Sequence, residues 1–426
     1  MHTKRYIANI VIEAKTPLKL GSSDIDMLQD APVQKDFNDL PMILGTSIAG
    51  VLRKLFNKQK VNDIFGDEES KKKDAKGSRL IVSNALLCDA DMQVHEKPLI
   101  QKSDFLKLFD TLPIRDHTAI TDKGVAKESA KFDEEVVYKG SRFRFSLELI
   151  GDQEDETAWQ ELLSLLNTHT FRLGSGVTKG FGEIAVVHEA STWDLFDVTS
   201  KEYRTLSSSL NTTLSRAFPK ESTLETNYTK YTLKLTPQDF FIFGSGFGDD
   251  DADMTPVYEK VIDYDKKDLS KEMILIPASS IKGAIAHRAV FHFNKQKKFY
   301  IGDPQARTTL PEIFGEAKEE EKGHKGKVLM SDCFSSKANE KVFDHVAIDR
   351  FTGGAIEGAL FQEKTVADTQ SYTIEIFLEK EIDKPYIEAF EAALLDIANA
   401  RLPLGGTTTK GHGFFSGKVL KDGEEL

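Results

Sequence analysis

Apolar residues at Phe143, Phe145, Leu147 and Leu149 alternate with Arg144, Ser146 and Glu148, and Tyr372, Ile374, Ile376 and Leu378 repeat the alternation. A period of two marks strands with one face in a core. Tyr6 to Glu13 and Tyr231 to Leu235 read as opening strands, and Arg79 to Leu87 and Lys327 to Cys333 as short apolar strands. Helical spacing covers Ser47 to Phe56 and Ser280 to Phe293, where serines stand in the place of N-caps. It returns near Glu156 to Asn167 and Lys384 to Ala398, each followed by a glycine-rich loop and a last strand. Strand, helix, strand, strand, helix, strand is the ferredoxin-like order. The pattern therefore predicts an α+β chain of two tandem ferredoxin-like, RRM-like domains, each sheet carrying helices on one face and leaving the other free for RNA.

The two halves are copies. Gly45-Thr-Ser-Ile-Ala-Gly-Val-Leu-Arg53 returns around Ser280-Ile-Lys-Gly283, and Ile64-Phe-Gly66 returns as Ile313-Phe-Gly315. Ser83-Asn84 matches Ser331-Asp332, Ala126 to Val136 matches Ala355 to Thr365, and Leu173 to Gly182 matches Leu404 to Gly413. The blocks keep their order at nearly constant separation, which identifies a duplication. It divides the chain into domains at 1–190 and 230–426, joined by a Ser/Thr-rich connector at 191–229 with room for one short helix.

Composition changes this picture little. The 426 residues are enough for two cores. No run reaches the roughly 18 apolar residues of a membrane span, and the polar start, Met1 to Tyr6, lacks a signal-peptide pattern, so a cytoplasmic protein without a membrane partner is expected. Two cysteines outside any C-x-x-C pattern speak against a disulfide framework or a cysteine zinc site. The net charge of −12 weighs against stand-alone, high-affinity nucleic-acid binding, although many acids lie in local runs such as Asp249 to Asp253.

Two kinds of segment carry candidate chemistry. The glycine loops offer Gly174, Gly176 and Gly180 with Lys179, and Gly405, Gly406 and Gly411 with Lys410. Glycine lets backbone amides approach a phosphate and the lysine adds charge, while a helix C-cap and turn would use the same residues. The helix starts at Ser47 and Ser280, with Arg53, Lys282 and Arg288 further along, suit a phosphate, or capping alone. Histidines His117, His287 and His412 raise a metal-free ribonuclease reading, but do not recur at matched positions.

Taken together, these blocks resemble the RAMP superfamily of CRISPR systems, in particular the backbone subunits of type III effector complexes. The residues that carry the resemblance in the first copy are Asp30-Ala-Pro-Val33, Leu44-Gly-Thr-Ser-Ile-Ala-Gly50, Ile64-Phe-Gly66, Phe132-Asp-Glu134 and the loop at Gly174. In the second they are Met254-Thr-Pro-Val257, Pro277-Ala-Ser-Ser-Ile-Lys-Gly283, Ile313-Phe-Gly315, Ile348-Asp-Arg-Phe-Thr-Gly-Gly354, Phe361-Gln-Glu363 and the loop at Gly405. Two units in one chain resemble the fused double subunits of type III-D-like complexes.

The resemblance implies partners: CRISPR RNA, complementary target RNA and other CRISPR effector subunits. It implies β-hairpin thumbs, here Ile114 to Glu134 with Ile114 and Arg115, and Ile348 to Glu363 with Ile348, Arg350 and Phe351. It also implies target cleavage by a loop carboxylate that holds a divalent metal, Mg²⁺ or Mn²⁺. Asp30 takes that place in the first copy, near Asp24 and Asp26; the second has Met254 there, with Asp253 one residue earlier. The rival expectations are a guide-processing endonuclease of the same superfamily and a catalytically silent structural subunit.

Overall fold

The computed structural model describes residues 2–22, 32–67, 75–120, 126–222, 224–300, 302–316, 323–336, 339–367 and 369–426. In the first copy Lys4–Ala14 lies antiparallel to Arg142–Gly151, with Tyr6 opposite Leu149 and Ile10 opposite Phe145. Leu80–Val82 and Ala85–Leu87 extend the sheet beyond Arg142–Gly151, and Ile184–Val186 pairs on the other side of the opening strand. The second copy repeats the order: Val328–Met330, Tyr372–Glu379, Tyr228–Pro237 and Phe415–Lys421, all antiparallel. The period-two residues bury as expected, with Phe143, Phe145, Leu147 and Leu149 fully enclosed. Glu156–Leu166 covers that core through Trp159 and Leu162, and Lys384–Ala398 covers the other through Phe390 and Leu394.

The second face of the first sheet is covered, contrary to the expectation of a free RNA platform. Asn9, Val11 and Arg144 are buried there. The Asn9 amide donates to Thr212 O, and the Arg144 guanidinium donates to Leu210 O and Met92 O. The cover comes largely from 191–229, which is more than a connector. Thr192–Asp197 pairs with Lys4–Asn9, Lys201–Thr205 is a short helix, and Trp193, Leu210 and Phe218 sink into the first core. Serine and threonine shape the turns of this segment, but three apolar side chains anchor it. In the second copy only part of the same face stays open, with Lys234, Thr373 and Lys418 exposed, while Phe377 and Leu329 at its end are buried beneath Val177 of the first copy.

A β-hairpin is inserted in each copy. Ile114–Ile120 pairs with Ala126–Glu135, and Asn339–Ile348 with Ala355–Ala367. The second hairpin extends further both ways than the stretch Ile348 to Glu363. Ile348, Arg350 and Phe351 mark its tip, where the Asp349 carboxylate accepts from the N–H groups of Phe351 and Thr352. Phe351 is 98% exposed there.

The copies are bound together tightly. From the second copy, Tyr264 enters the first core against Phe105, ring centroids 5.0 Å apart, and its hydroxyl donates to Cys88 O at 2.9 Å. From the first, Arg115 reaches Glu259 at 2.8 Å and Asp332 at 2.5 Å, all three buried. Burial alone would lower the pKa of Arg115; the two carboxylates overcome that and raise it.

Candidate nucleic-acid interface

The helices at the candidate phosphate sites start two residues before their serines. Gly45–Leu55 and Ala278–Lys297 follow Leu44 and Pro277, neither of which caps through its side chain, so Ser47 and Ser280 are exposed residues of the first turn and not caps. The cap arrives from the neighbouring strand. Asn84 Oδ1 accepts from Gly45 N–H at 2.9 Å, and Asp332 Oδ1 accepts from Ala278 N–H at 2.8 Å. The matched pair Asn84/Asp332 thus meets one orphan amide in each copy, and in the second copy the acid also serves Arg115.

Most cations expected at these starts have structural partners. Arg53 donates to the carbonyls of Phe65 and Gly66, bracing the Ile-Phe-Gly turn. Lys282 lies near Phe314 O and Thr178 Oγ1, each at 3.4 Å; burial, then the charge of Lys179, bring its pKa down to about 8. Arg288 is ion-paired with Asp396, which His292 shares. Arg115 is locked between the copies. It cannot serve as an RNA-facing thumb residue, because leaving would strand two buried carboxylates. Ile114 beside it is about half exposed.

The glycine loops spend several amides on packing, not on an open phosphate cradle. Ser175 N–H donates to Lys19 O and Gly182 N–H to Pro17 O; Gly406 N–H donates to Ile242 O and Gly413 N–H to Phe240 O. Gly174 and Gly405 hold positive φ of 83° and 92°, and a Cβ on either would collide with the same carbonyls, Lys19 O and Ile242 O. Gly180 is pressed against Asp332 of the second copy, whereas Gly411 stands in open space. What both loops turn outward is the lysine.

Each lysine joins a cluster that the copies share. The Lys410 ammonium lies 4.5 Å from the Phe361 ring centroid, and the His345 imidazole stacks on that ring at 4.7 Å. His345 Nε2 is 3.0 Å from Glu363, which is fully buried and accepts from Thr407 Oγ1 at 2.7 Å. In the first copy Lys179 lies 5.6 Å from the Phe132 centroid, His117 stacks on Phe132 at 5.2 Å, and His117 Nε2 is 3.4 Å from buried Glu134, which also pairs with Lys19. The histidines therefore do recur: His117 matches His345, not His287 or His412. The signal was present, a histidine on the preceding strand of the same hairpin as each Phe-x-Glu, but the flanking strand residues share too little to expose it. Neither Lys179 nor Lys410 meets a carboxylate among the described residues. A cation and an imidazole over an aromatic ring suit a phosphate and a stacked base.

The structure also corrects the register around the candidate carboxylates. Ser22 N–H donates to Pro32 O, and Ser245 N–H to Thr255 O; the isolated bridges Gly21–Val33 and Gly244–Pro256 agree. Both pairs enclose the same number of residues, so counting along the sequence from these flanks aligns Asp253, and not Met254, with Asp30. Asp30, with Asp24 and Asp26, lies outside the described residues. Asp253 Oδ2 accepts from the Gln362 N–H at 2.8 Å, one residue from Phe361, and Met254 bridges Glu363. Among the described residues no three His, Cys, Asp or Glu side chains converge on a metal position. A lone carboxylate fits Mg²⁺ or Mn²⁺ completed by phosphate oxygens and water better than it fits zinc.

The model of the RAMP superfamily matches residues 11–185 and 258–416. The chain belongs to the RAMP superfamily, and the two matched stretches fall one in each copy. Members of that superfamily are CRISPR-associated RNA-binding proteins that work in multi-subunit complexes. No curated protein matches the chain. Among the described residues no helix is long and apolar enough to cross a membrane.

Proposed function

We propose that the chain is a fused double backbone subunit of a type III CRISPR effector complex, III-D-like, which holds CRISPR RNA and cuts complementary target RNA beside Asp30 and Asp253. The observation that carries this is the repeated Lys–Phe–His–Glu cluster, with Asp253 hydrogen-bonded to Gln362 next to Phe361 on the hairpin strand. Two domains, 1–190 and 230–426, are taken as ferredoxin-like units, a reading supported by the shared strand order. Lys179 and Lys410 meet phosphates, and the aromatic pairs receive bases. With a net charge of −12 the grip is local, confined to these clusters. The exposed Ile348, Phe351, Ile356 and Leu360 give the second hairpin the apolar edge of a wedge between base pairs.

For cleavage, the 2′-hydroxyl of a strained target nucleotide attacks the adjacent phosphorus and the 5′-oxygen leaves. A divalent cation held by Asp253, or by Asp30, would offset the charge that builds on the phosphoryl oxygens. The chain's own part is positional: the Gln362 N–H fixes the Asp253 carboxylate, and Lys410 holds the phosphodiester. The matched histidines favour one second reading, a guide-processing endonuclease in which the Glu-oriented imidazole is the base.

The test uses the chain purified with its bound RNA and a labelled complementary target. Asp253→Ala should remove one product and Asp30→Ala another, with RNA retained; chelator should stop cutting and Mg²⁺ or Mn²⁺ restore it. Unchanged ladders from both variants refute the site. Cutting of free repeat RNA in chelator, lost in His345→Asn, would establish the second reading instead.

A further inference from the structure

The joint between the copies shows how one RAMP unit seats on another, and it leaves one copy of each joining face without an occupant among the described residues. The first copy supplies its glycine loop: Val177 packs on Leu329 and Phe377, and Gly180 lies beside Ser331. Arg172 donates to Met330 O and Ser331 Oγ, and Arg115 ends on Asp332. The second copy receives it on the strand Val328–Met330 and the helix start at Ala278.

The same receiving face exists in the first copy. Strand pairing matches Ile81, opposite Glu148, to Leu329, opposite Phe377. Leu329 is 5% exposed beneath Val177, while Ile81 is 50% exposed. Beside it opens a groove of about 270 Å³ lined by Gly45, Thr46, Gly50, Arg53 and Leu80. The giving face is likewise free in the second copy, where the Cβ position of Gly411 is open.

These two free faces do not fit each other, because the polar code at their centre has changed. In the occupied joint Asp332 accepts at both oxygens, one from Ala278 N–H and one from Arg115. In the free face Asn84 spends its oxygen on Gly45 N–H, which leaves the amide NH₂ to point outward. A donor stands where the occupied joint has an acceptor. The second hairpin offers no acceptor in return: Phe343, opposite Glu363, takes the position that Arg115, opposite Glu134, has in the first.

We propose that the Asn84 face docks the glycine loop of a different RAMP-type chain, one carrying a carboxylate or amide oxygen where this chain has Arg115, and that the chain does not stack on itself. This goes beyond the guide-binding reading and rests on the family and the internal joint alone. Its failure is therefore distinguishable from failure of that reading.

Sedimentation velocity on nuclease-treated full-length chain tests the code. Thr408→Val is placed in every variant to restore a Val177-like contact onto Ile81. With Asn84 kept, Phe343→Glu should self-associate at least about tenfold more strongly than Phe343→Arg, a factor worth about 1.4 kcal/mol. With Asn84→Asp the preference should reverse. Thermal melts confirm that each variant is folded. Equal behaviour of all four, whether monomeric or assembled, overturns the proposal. So does head-to-tail assembly of the unaltered chain that Ile81→Glu abolishes.

Discussion

Glu134 illustrates how one buried carboxylate ties the first cluster together. Burial would raise its pKa, but the nearby His117 imidazole and the hydrogen-bonded Lys19 ammonium hold it at about 2, below its ordinary 4.5. A folded pKa below the unfolded value stabilises the protein above pH 4.5, and that contribution fades as pH falls towards 2. Glu134→Gln should therefore be less stable at neutral pH and lose less on acidification through that window. Urea midpoints at pH 7, 4.5 and 3 measure the difference, and parallel losses in the two proteins would sink the assignment. At this scale the sequence made Lys179, Lys410 and Asp253 legible, since loop composition and motif spacing mark them. It hid the role of Arg115, whose partners lie 144 and 217 residues away. It also hid His345, whose meaning depends on the hairpin register that brings it over Phe361.

Secondary-structure elements were more legible than their ends. Period-two alternation located the central strands, and the helix at Lys384–Ala398 has the limits its spacing implies. Serine propensity, a local signal, misplaces the starts at Gly45 and Ala278, because the caps come from Asn84 and Asp332 on another strand. Asn84→Ala should thus cost about 1 kcal/mol, the usual worth of an N-cap, in a urea unfolding curve. Ser47→Ala, exposed in the first turn, should cost almost nothing; equal losses would return the capping role to the serine. The cover over the first sheet escaped the sequence for a related reason. Trp193, Leu210 and Phe218 are too widely spaced along 191–229 to form a periodic pattern; Trp193 packs on Trp159 at the helix side, and the stretch around Leu210 and Thr212 meets Arg144 and Asn9 only after the chain folds back on Lys4–Ala14.

On the scale of the whole molecule, duplication would lead one to expect two domains that unfold independently, and the joint argues otherwise. Each copy has its own core, yet Tyr264 of the second belongs to the core of the first, and Arg115 of the first closes a buried charge pair with the second. Calorimetry of the intact chain should show one transition. Arg115→Ala leaves Glu259 and Asp332 buried without their cation, a loss of roughly 3–5 kcal/mol. The damage falls unevenly, because Asp332 also caps Ala278–Lys297. The second copy should then melt first, giving two transitions and early hydrogen exchange along that helix. A triple variant, Arg115→Met with Glu259→Leu and Asp332→Asn, removes the charges but keeps a cap of the kind Asn84 provides. It should regain a single transition, since replacing a buried ionic cluster with apolar groups of similar volume is often neutral. Two transitions in the triple variant as well would mean that charge pairing, and not packing, joins the copies.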